Sequence, residues 1–381
     1  MNSSWDWCGE RRNSVGMKFR PKTAKQSSSP SQRPRLWHNG RINASHPYRS
    51  LFPEKKTTPF LILPATIRNE GMNLDQELKN WGPDSLAIRN GPPSLQESQL
   101  YCKKLSQSHY ENFVVVGLFT PYRLRPSFEA IYAYCRWADD LADETGSTET
   151  STTLLDWWLH QLESIYLEMP SPVPLHPVFI ALKPVVKQFN IPIKPLKDLL
   201  SAFQQDQVIT HYATHQQLLD YCTRSANPVG ELVLRLFDAS TDENLAMSNA
   251  ICTGLQLANF WQDVRRDLDK NRVYIPQETL LRFALEQSDL ARKPASESFK
   301  AMLAEQVAET RLLFQTGLPL TLKLKGRARI AIKLFHDGGV ATLDSIEKLG
   351  YDVLTSRPKV GKMKQLSLMI KILLQSLASS Q

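Results

Sequence analysis

Apolar positions recur at helical spacing over most of the chain, beginning near Ser94. Residues 153–169 show the pattern well. Leu154, Leu155, Trp158, Leu162 and Ile165 fall on one side of a helix, with polar residues between them. The same reading predicts helices over 94–109, 127–146, 195–212, 215–225, 228–238, 244–269, 296–316 and 319–336. Two more open at His176-Pro177 and at Pro276. Pro121 to Pro126 reads as a turn, 170–177 as a linker, Ile191-Pro192 as a break and Gly338-Gly339 as a turn. No strand-like alternation of useful length and no internal repeat interrupts the pattern. The expected fold class is therefore all-α, a single-domain helical bundle.

Residues 1–95 break this pattern. They are rich in Ser, Pro, Arg and Asn, and the run Ser27-Ser28-Ser29-Pro30-Ser31-Gln32-Arg33-Pro34 has the composition of a disordered segment. The expected division is a basic, disordered N-terminal extension over 1–95 and a helical domain over 96–381. Charge follows the same division. Residues 1–71 hold 13 Lys and Arg against 4 Asp and Glu, which accounts for the whole chain's formal +8. Such a tail could meet nucleic acid or anionic lipid; simple disorder is the plainer reading, and no nucleic-acid partner is expected. The tail also resembles a transit peptide in composition. An alternative is translation from Met72, where the charge balance changes; the intact mass of the natural protein decides this.

The five cysteines (Cys8, Cys102, Cys135, Cys222 and Cys252) lack metal-type spacing. Cys135, Cys222 and Cys252 sit in apolar helical settings and read as buried thiols, which suits a reducing cytoplasm. No apolar core follows the early charges, so no signal peptide is expected. No run reaches the length of a spanning helix. The tract 366–377 is apolar but short and interrupted by Lys371; it reads as a core helix in preference to an interfacial anchor.

Two acid-rich segments about 120 residues apart carry the chemistry. On a helix, residues four apart share a face. Asp139 and Asp143 form one column, preceded on that face by Tyr132 and Arg136; Asn259, Asp263 and Asp267 form another. The apolar neighbours Trp137, Leu141, Leu257, Phe260 and Trp261 argue for burial. Buried carboxylates need compensation. A divalent cation such as Mg²⁺ supplies it and shares oxygen ligands with substrate phosphates. One acidic column alone is ordinarily a solvated face. Two such columns are the minimum for clamping Mg²⁺ ions and a diphosphate.

These residues resemble the squalene/phytoene synthase family. Its first signature matches Tyr132, Cys135, Arg136, Asp139 and Asp143, and its second matches Gln256, Asn259, Asp263 and Asp267. A third element is met in part by Tyr221, Cys222, Ala226, Val229 and Gly230, and a fourth by Arg272-Val273-Tyr274-Ile275-Pro276. The resemblance spans roughly 97–360. Stretches such as His109-Tyr110-Glu111-Asn112-Phe113 and Ser225-Ala226-Asn227-Pro228 look like the hydroxysqualene synthase branch of bacterial hopanoid pathways. Asn227-Pro228 departs from the general family pattern.

The resemblance implies the isoprenoid synthase fold and a prenyl diphosphate substrate. It implies Mg²⁺, with Mn²⁺ as an alternative, held by Asp139, Asp140, Asp143, Asn259, Asp263 and Asp267, and no need of NADPH. His109, Arg136, Gln256, Arg265, Lys270, Arg272 and Tyr274 are expected around the diphosphate; of the adjacent Arg265 and Arg266, at most one can face the cleft. A lone histidine such as His109 is equally read as structural. Tyr132 and Tyr221 are expected near the reacting carbons, with Phe113, Val116, Phe119, Leu255 and Phe260 lining the apolar interior. Asn227 either holds the water that quenches the cation or caps the helix beginning at Pro228. The expected reaction is conversion of presqualene diphosphate to hydroxysqualene. Head-to-head condensation of two farnesyl or geranylgeranyl diphosphates is the alternative, and a non-catalytic scaffold the remote one. Peripheral contact with the inner face of the membrane and with other hopanoid-pathway enzymes fits this reading.

Overall fold

The computed structural model describes residues 73–85, 91–108, 120–167, 175–361 and 372 of the 381-residue chain. The described residues form helices joined by short loops: α1 (Leu74–Trp81), α2 (Leu95–Ser108), α3 (Arg125–Asp143), α4 (Thr148–Tyr166), α5 (Pro177–Gln188) and α6 (Ile193–Gln205). They continue with α7 (His215–Ser225), α8 (Asn227–Leu236), α9 (Asp242–Leu268), α10 (Gln277–Arg282), α11 (Glu297–Lys323) and α12 (Gly326–Lys348). Among the described residues the strand-type pairing is a single isolated parallel bridge between His211 and Val273.

Local chemistry sets the boundaries. Ser147, Thr214, Thr241 and Ser296 each accept a hydrogen bond from the backbone N–H three residues on, satisfying a first-turn donor. The Nδ1 of His176 accepts from the Val178 N–H, two residues on, at the start of α5, and Pro177 takes the first helical position, where no N–H is needed. Helix α9 is the central rod. It packs on α8, α11, α12 and α7, while α3 packs on α2, α5, α4 and α6. Between α3, α4 and α5 lies an aromatic core in which Trp137 stacks on Trp158 at 5.4 Å and His176 stands edge-on to Trp137 at 4.5 Å. Burial holds the His176 imidazole neutral, well below its ordinary pKa.

Several expected boundaries move. Helix α4 begins before residue 153, at the Ser147 cap. Helix α6 ends at Gln205; a turn over 206–208 follows, and 209–213 then runs beside 272–278, with Val273 N–H donating to the Thr210 carbonyl at 2.8 Å and Gln277 N–H to that of Tyr212 at 2.9 Å. Pro319 does not open a helix; it lies inside α11, and the break comes at Leu324-Lys325. Gly338-Gly339 is not a turn but mid-helix in α12. A Cβ on Gly339 would fall 2.3 Å from Phe314 Cζ, so glycine there permits close approach of α12 to α11. Part of the stretch 1–95 is helical where disorder was expected: α1 lies within it, Leu74 is buried in the core, and Glu77 accepts a hydrogen bond from Tyr101 at 2.7 Å. His109, Phe113, Val116, Phe119, Met72 and Cys8 lie outside the described residues, as does 366–377 apart from the buried Ile372. Cys102, Cys135, Cys222 and Cys252 are free and buried.

Candidate active site

The two carboxylate columns form as the spacing predicts. Asp139 and Asp143 lie on the last turns of α3, and Asn259, Asp263 and Asp267 on the C-terminal half of α9. The stretch just beyond α9 joins them. Arg272 Nη2 donates to Asp143 Oδ1 at 3.1 Å, and Lys270 Nζ lies 3.9 Å from Asp143 Oδ2. The extended pairing of 272–278 with 209–213 fixes Arg272 and Tyr274 in this position.

Burial dominates the electrostatics. It pushes Asp139 and Asp267 up to about 7, reinforced by the neighbouring carboxylates Asp143 and Asp263 respectively; Lys270 and Arg272 oppose both shifts, with Arg136 acting on Asp139 and Arg266 on Asp267. Three polar atoms around the cleft are buried without a hydrogen-bond partner: Asp267 Oδ2, Lys270 Nζ and Arg272 Nη1. An unsatisfied acceptor and two unsatisfied cationic donors in one place are costly unless a ligand completes them. The donors suit phosphate oxygens, and the carboxylate suits a hard cation. Among the described residues no three acidic, histidine or cysteine side chains converge on a single ion.

Arg136 is held by neighbouring acids. It pairs with Asp139 at 3.1 Å, donates through Nε to Asp140 Oδ2 at 3.0 Å and also contacts Asp140 through Nη2. Asp140, expected among the metal ligands, pairs with Arg136 through both of its carboxylate oxygens. Arg265 is a correction. Its guanidinium turns to Asp269 at 3.1 Å and to the Ala291 carbonyl at 3.2 Å, because position 265 lies 200° around the helix from Asp263. Arg266 is the arginine beside Asp263, at 3.6 Å.

Two residues went unnoticed in the sequence. Arg357, beyond α12, donates through Nη2 to Asp263 Oδ2 at 2.9 Å and to Gln262 Oε1 at 3.1 Å, and contacts Asp263 Oδ1 through Nε. Asp206, at the end of α6, is buried and accepts a hydrogen bond from Tyr221 at 2.9 Å. Burial pushes Asp206 up to about 7, opposed mainly by Arg272. Its signal in the sequence was slight, a lone acid at a helix end.

An aromatic wall adjoins the acids. Tyr274 stacks on Phe260 with centroids 3.8 Å apart, and Tyr212 stacks on Tyr274 at 5.9 Å. Tyr221 stands 6.2 Å from Tyr274. Tyr132 is half-buried one turn before Arg136, and burial raises its hydroxyl pKa. Gln256 is buried on α9. Asn227 does not cap α8. Ala226 holds the cap position, and Asn227 Oδ1 instead accepts from Thr253 Oγ1 at 2.9 Å.

Residues 106–364 match the squalene/phytoene synthase family. The chain belongs to that family. Membership makes it an enzyme of the prenyltransferase type, acting on prenyl diphosphates. It is similar to the crystal structure of squalene synthase HpnC from Alicyclobacillus acidocaldarius, with 36% identity over 70% of this chain and 99% of that one, at a TM-score of 0.64. The phytoene synthase of Arthrospira platensis is 28% identical over 72% of this chain and 92% of its own length. Phytoene synthase 1, chloroplastic, of Zea mays is 26% identical over 73% of this chain and 68% of its own. A dehydrosqualene synthase solved in complex with ligand shares the fold at a TM-score of 0.65 and 23% identity. The helical bundle is the isoprenoid synthase fold.

Proposed function

We propose that this enzyme converts presqualene diphosphate to hydroxysqualene with release of diphosphate. The observation that carries the diphosphate site is the set of buried, unpartnered atoms at Asp267, Lys270 and Arg272 between two carboxylate columns. Asp139, Asp143, Asn259, Asp263 and Asp267 are the residues that would hold divalent metal, Mg²⁺ or Mn²⁺. Metal bound there would neutralise the leaving group as a Lewis acid. Lys270 and Arg272 supply charge-assisted hydrogen bonds to the phosphate oxygens. Their desolvated position strengthens those bonds.

Departure of the diphosphate breaks a carbon–oxygen bond and leaves a carbocation. The faces of Phe260, Tyr274 and Tyr221 offer it a low-polarity wall with negative ring faces. Asp206 accepts the Tyr221 hydroxyl proton in a hydrogen bond and so fixes the orientation of that ring. Asn227 supports the alcohol as product. The Thr253 hydroxyl donates to its Oδ1, which orients the amide and leaves the NH₂ group to hold a water. The water oxygen bonds to the cation, and its surplus proton passes to the released diphosphate. The 36% identity to squalene synthase HpnC, against 26–28% to phytoene synthases, supports a thirty-carbon chemistry.

Head-to-head condensation of two prenyl diphosphates is the second reading, favoured by the phytoene synthase relatives. Supplying presqualene diphosphate and farnesyl diphosphate separately with Mg²⁺, and analysing lipid extracts by gas chromatography–mass spectrometry, tests the proposal. Hydroxysqualene from presqualene diphosphate, reduced as a fraction of product in Asn227→Ala, is expected. Squalene or presqualene diphosphate made from farnesyl diphosphate, or an unchanged product ratio in Asn227→Ala, overturns the hydroxysqualene assignment.

A further inference from the structure

Residues 312–322, Leu-Leu-Phe-Gln-Thr-Gly-Leu-Pro-Leu-Thr-Leu, contain no charged side chain, although they form the last three turns of a helix with an open face. Phe314, Gly317, Leu320 and Thr321 face the core. The other side is exposed, with Leu312 at 59%, Leu318 at 40% and Leu322 at 66% accessibility, and Gln315, Thr316 and Pro319 exposed between them. A solvent-facing helix surface ordinarily carries charge at such positions. Four basic residues follow at once: Lys323, Lys325, Arg327 and Arg329. The first three are exposed and Arg329 is half-exposed. Lys323 is paired with Glu243 at the start of α9.

We propose that this corner, the C-terminal half of α11 and the start of α12, docks the enzyme on an anionic lipid surface. The leucines would enter the headgroup boundary, and the basic side chains would lie at the level of the lipid phosphates. Leucines beside clustered Lys and Arg match the chemistry of that interface. An aqueous protein partner of opposite charge would explain the basic residues but not the uncharged leucine face. The position is informative as well. Glu243 and Asp263 are twenty residues apart on α9, about 30 Å at helical rise. The corner thus lies at the opposite end of α9 from the diphosphate site, the end away from the charged head of an elongated lipid substrate. This last point rests on the reading that the substrate is a prenyl diphosphate; the docking surface itself does not.

Flotation of the full chain with vesicles tests the proposal, comparing phosphatidylcholine alone with mixtures containing phosphatidylglycerol. The wild type is expected to float with the anionic vesicles, and less so as salt rises. Leu318→Gln/Leu322→Gln and Lys325→Glu/Arg327→Glu are each expected to lower the partition coefficient about tenfold. Helical circular dichroism and diphosphate release from soluble substrate should be unchanged in both. The basic N-terminal tail remains intact in every variant. Equal flotation of wild type and variants assigns any binding to that tail and overturns the proposal. No flotation of the wild type also overturns it, as does a dimer in sedimentation velocity that Leu322→Gln disrupts, which makes the surface an interface between copies.

Discussion

Arg357 reaches Asp263 across 94 positions of sequence and grips both of its carboxylate oxygens. The segment after α12 thereby closes over the acid at the middle of the second column, and Gln262 secures it further by donating to the Pro358 carbonyl at 2.9 Å. Asp263 is almost fully buried, and its ion-pair partners are Arg357 and Arg266. Breaking a buried ion pair by removing one member typically costs about 3–5 kcal/mol. Arg357→Ala is expected to lower the metal-free melting temperature by several degrees, and Mg²⁺ with inorganic diphosphate to recover part of the loss. Scanning fluorimetry with and without both ligands measures this; an unchanged melting temperature would show that the pair holds nothing.

Asp139→Asn and Asp263→Asn are each expected to reduce turnover at least 100-fold, on the scale of lost electrostatic stabilisation of a leaving group (about 2.7 kcal/mol or more). Both are near-isosteric, and far-ultraviolet circular dichroism should match the wild type. Substantial residual turnover in either variant argues against these carboxylates as metal ligands.

Asp139, Asp206 and Asp267 have folded-state values near 7, above the ordinary aspartate value of about 4. Between these values the folded protein binds more protons than the unfolded chain. Stability therefore falls as pH rises through this window, and the penalty is fully present above it. The metal-free protein is expected to melt higher at about pH 5.5 than at about pH 8. Asp206→Asn should narrow that difference while keeping an acceptor for Tyr221, and a difference unaltered by the substitution would remove Asp206 from the account.

Gly317 and Gly339 set the spacing of α11 against its neighbours. A Cβ at Gly317 would lie 2.3 Å from Ile251 Cγ1 and 2.9 Å from the Met247 carbonyl oxygen, and one at Gly339 would strike the buried Phe314 ring. Gly317→Ala and Gly339→Ala are each expected to destabilise by about 1–3 kcal/mol. Urea denaturation midpoints report this, and a midpoint equal to the wild type would mean that the helices can move apart freely.

The parts of this fold that are local in sequence were legible. Four-residue spacing put Asp139 with Asp143 and Asn259 with Asp263 and Asp267, because one helix fixes those relations alone. The proline at 177 marked a helix start for the same reason. What depended on a second helix was not legible. Gly338-Gly339 reads as a turn until Phe314 is seen against it, and Pro319 reads as a helix start until α11 is seen to run through it. Arg265 and Arg266 are indistinguishable by type, and only the helix phase sends one to Asp269 and the other to Asp263. Arg357 sits among ordinary surface residues in the sequence, and tertiary packing alone brings it to the second motif. Asp206 likewise gains its partner Tyr221 only when α6 and α7 pack together.

Calorimetric titration of Mg²⁺ into the full chain, with and without inorganic diphosphate, tests the central claim most directly. The two carboxylate columns with Lys270 and Arg272 should bind Mg²⁺ much more tightly when diphosphate is present, and Asp139→Asn and Asp263→Asn should abolish that gain. Diphosphate-dependent Mg²⁺ binding that persists undiminished in both variants, or that the wild type lacks, would contradict the assignment of this cleft as the diphosphate site.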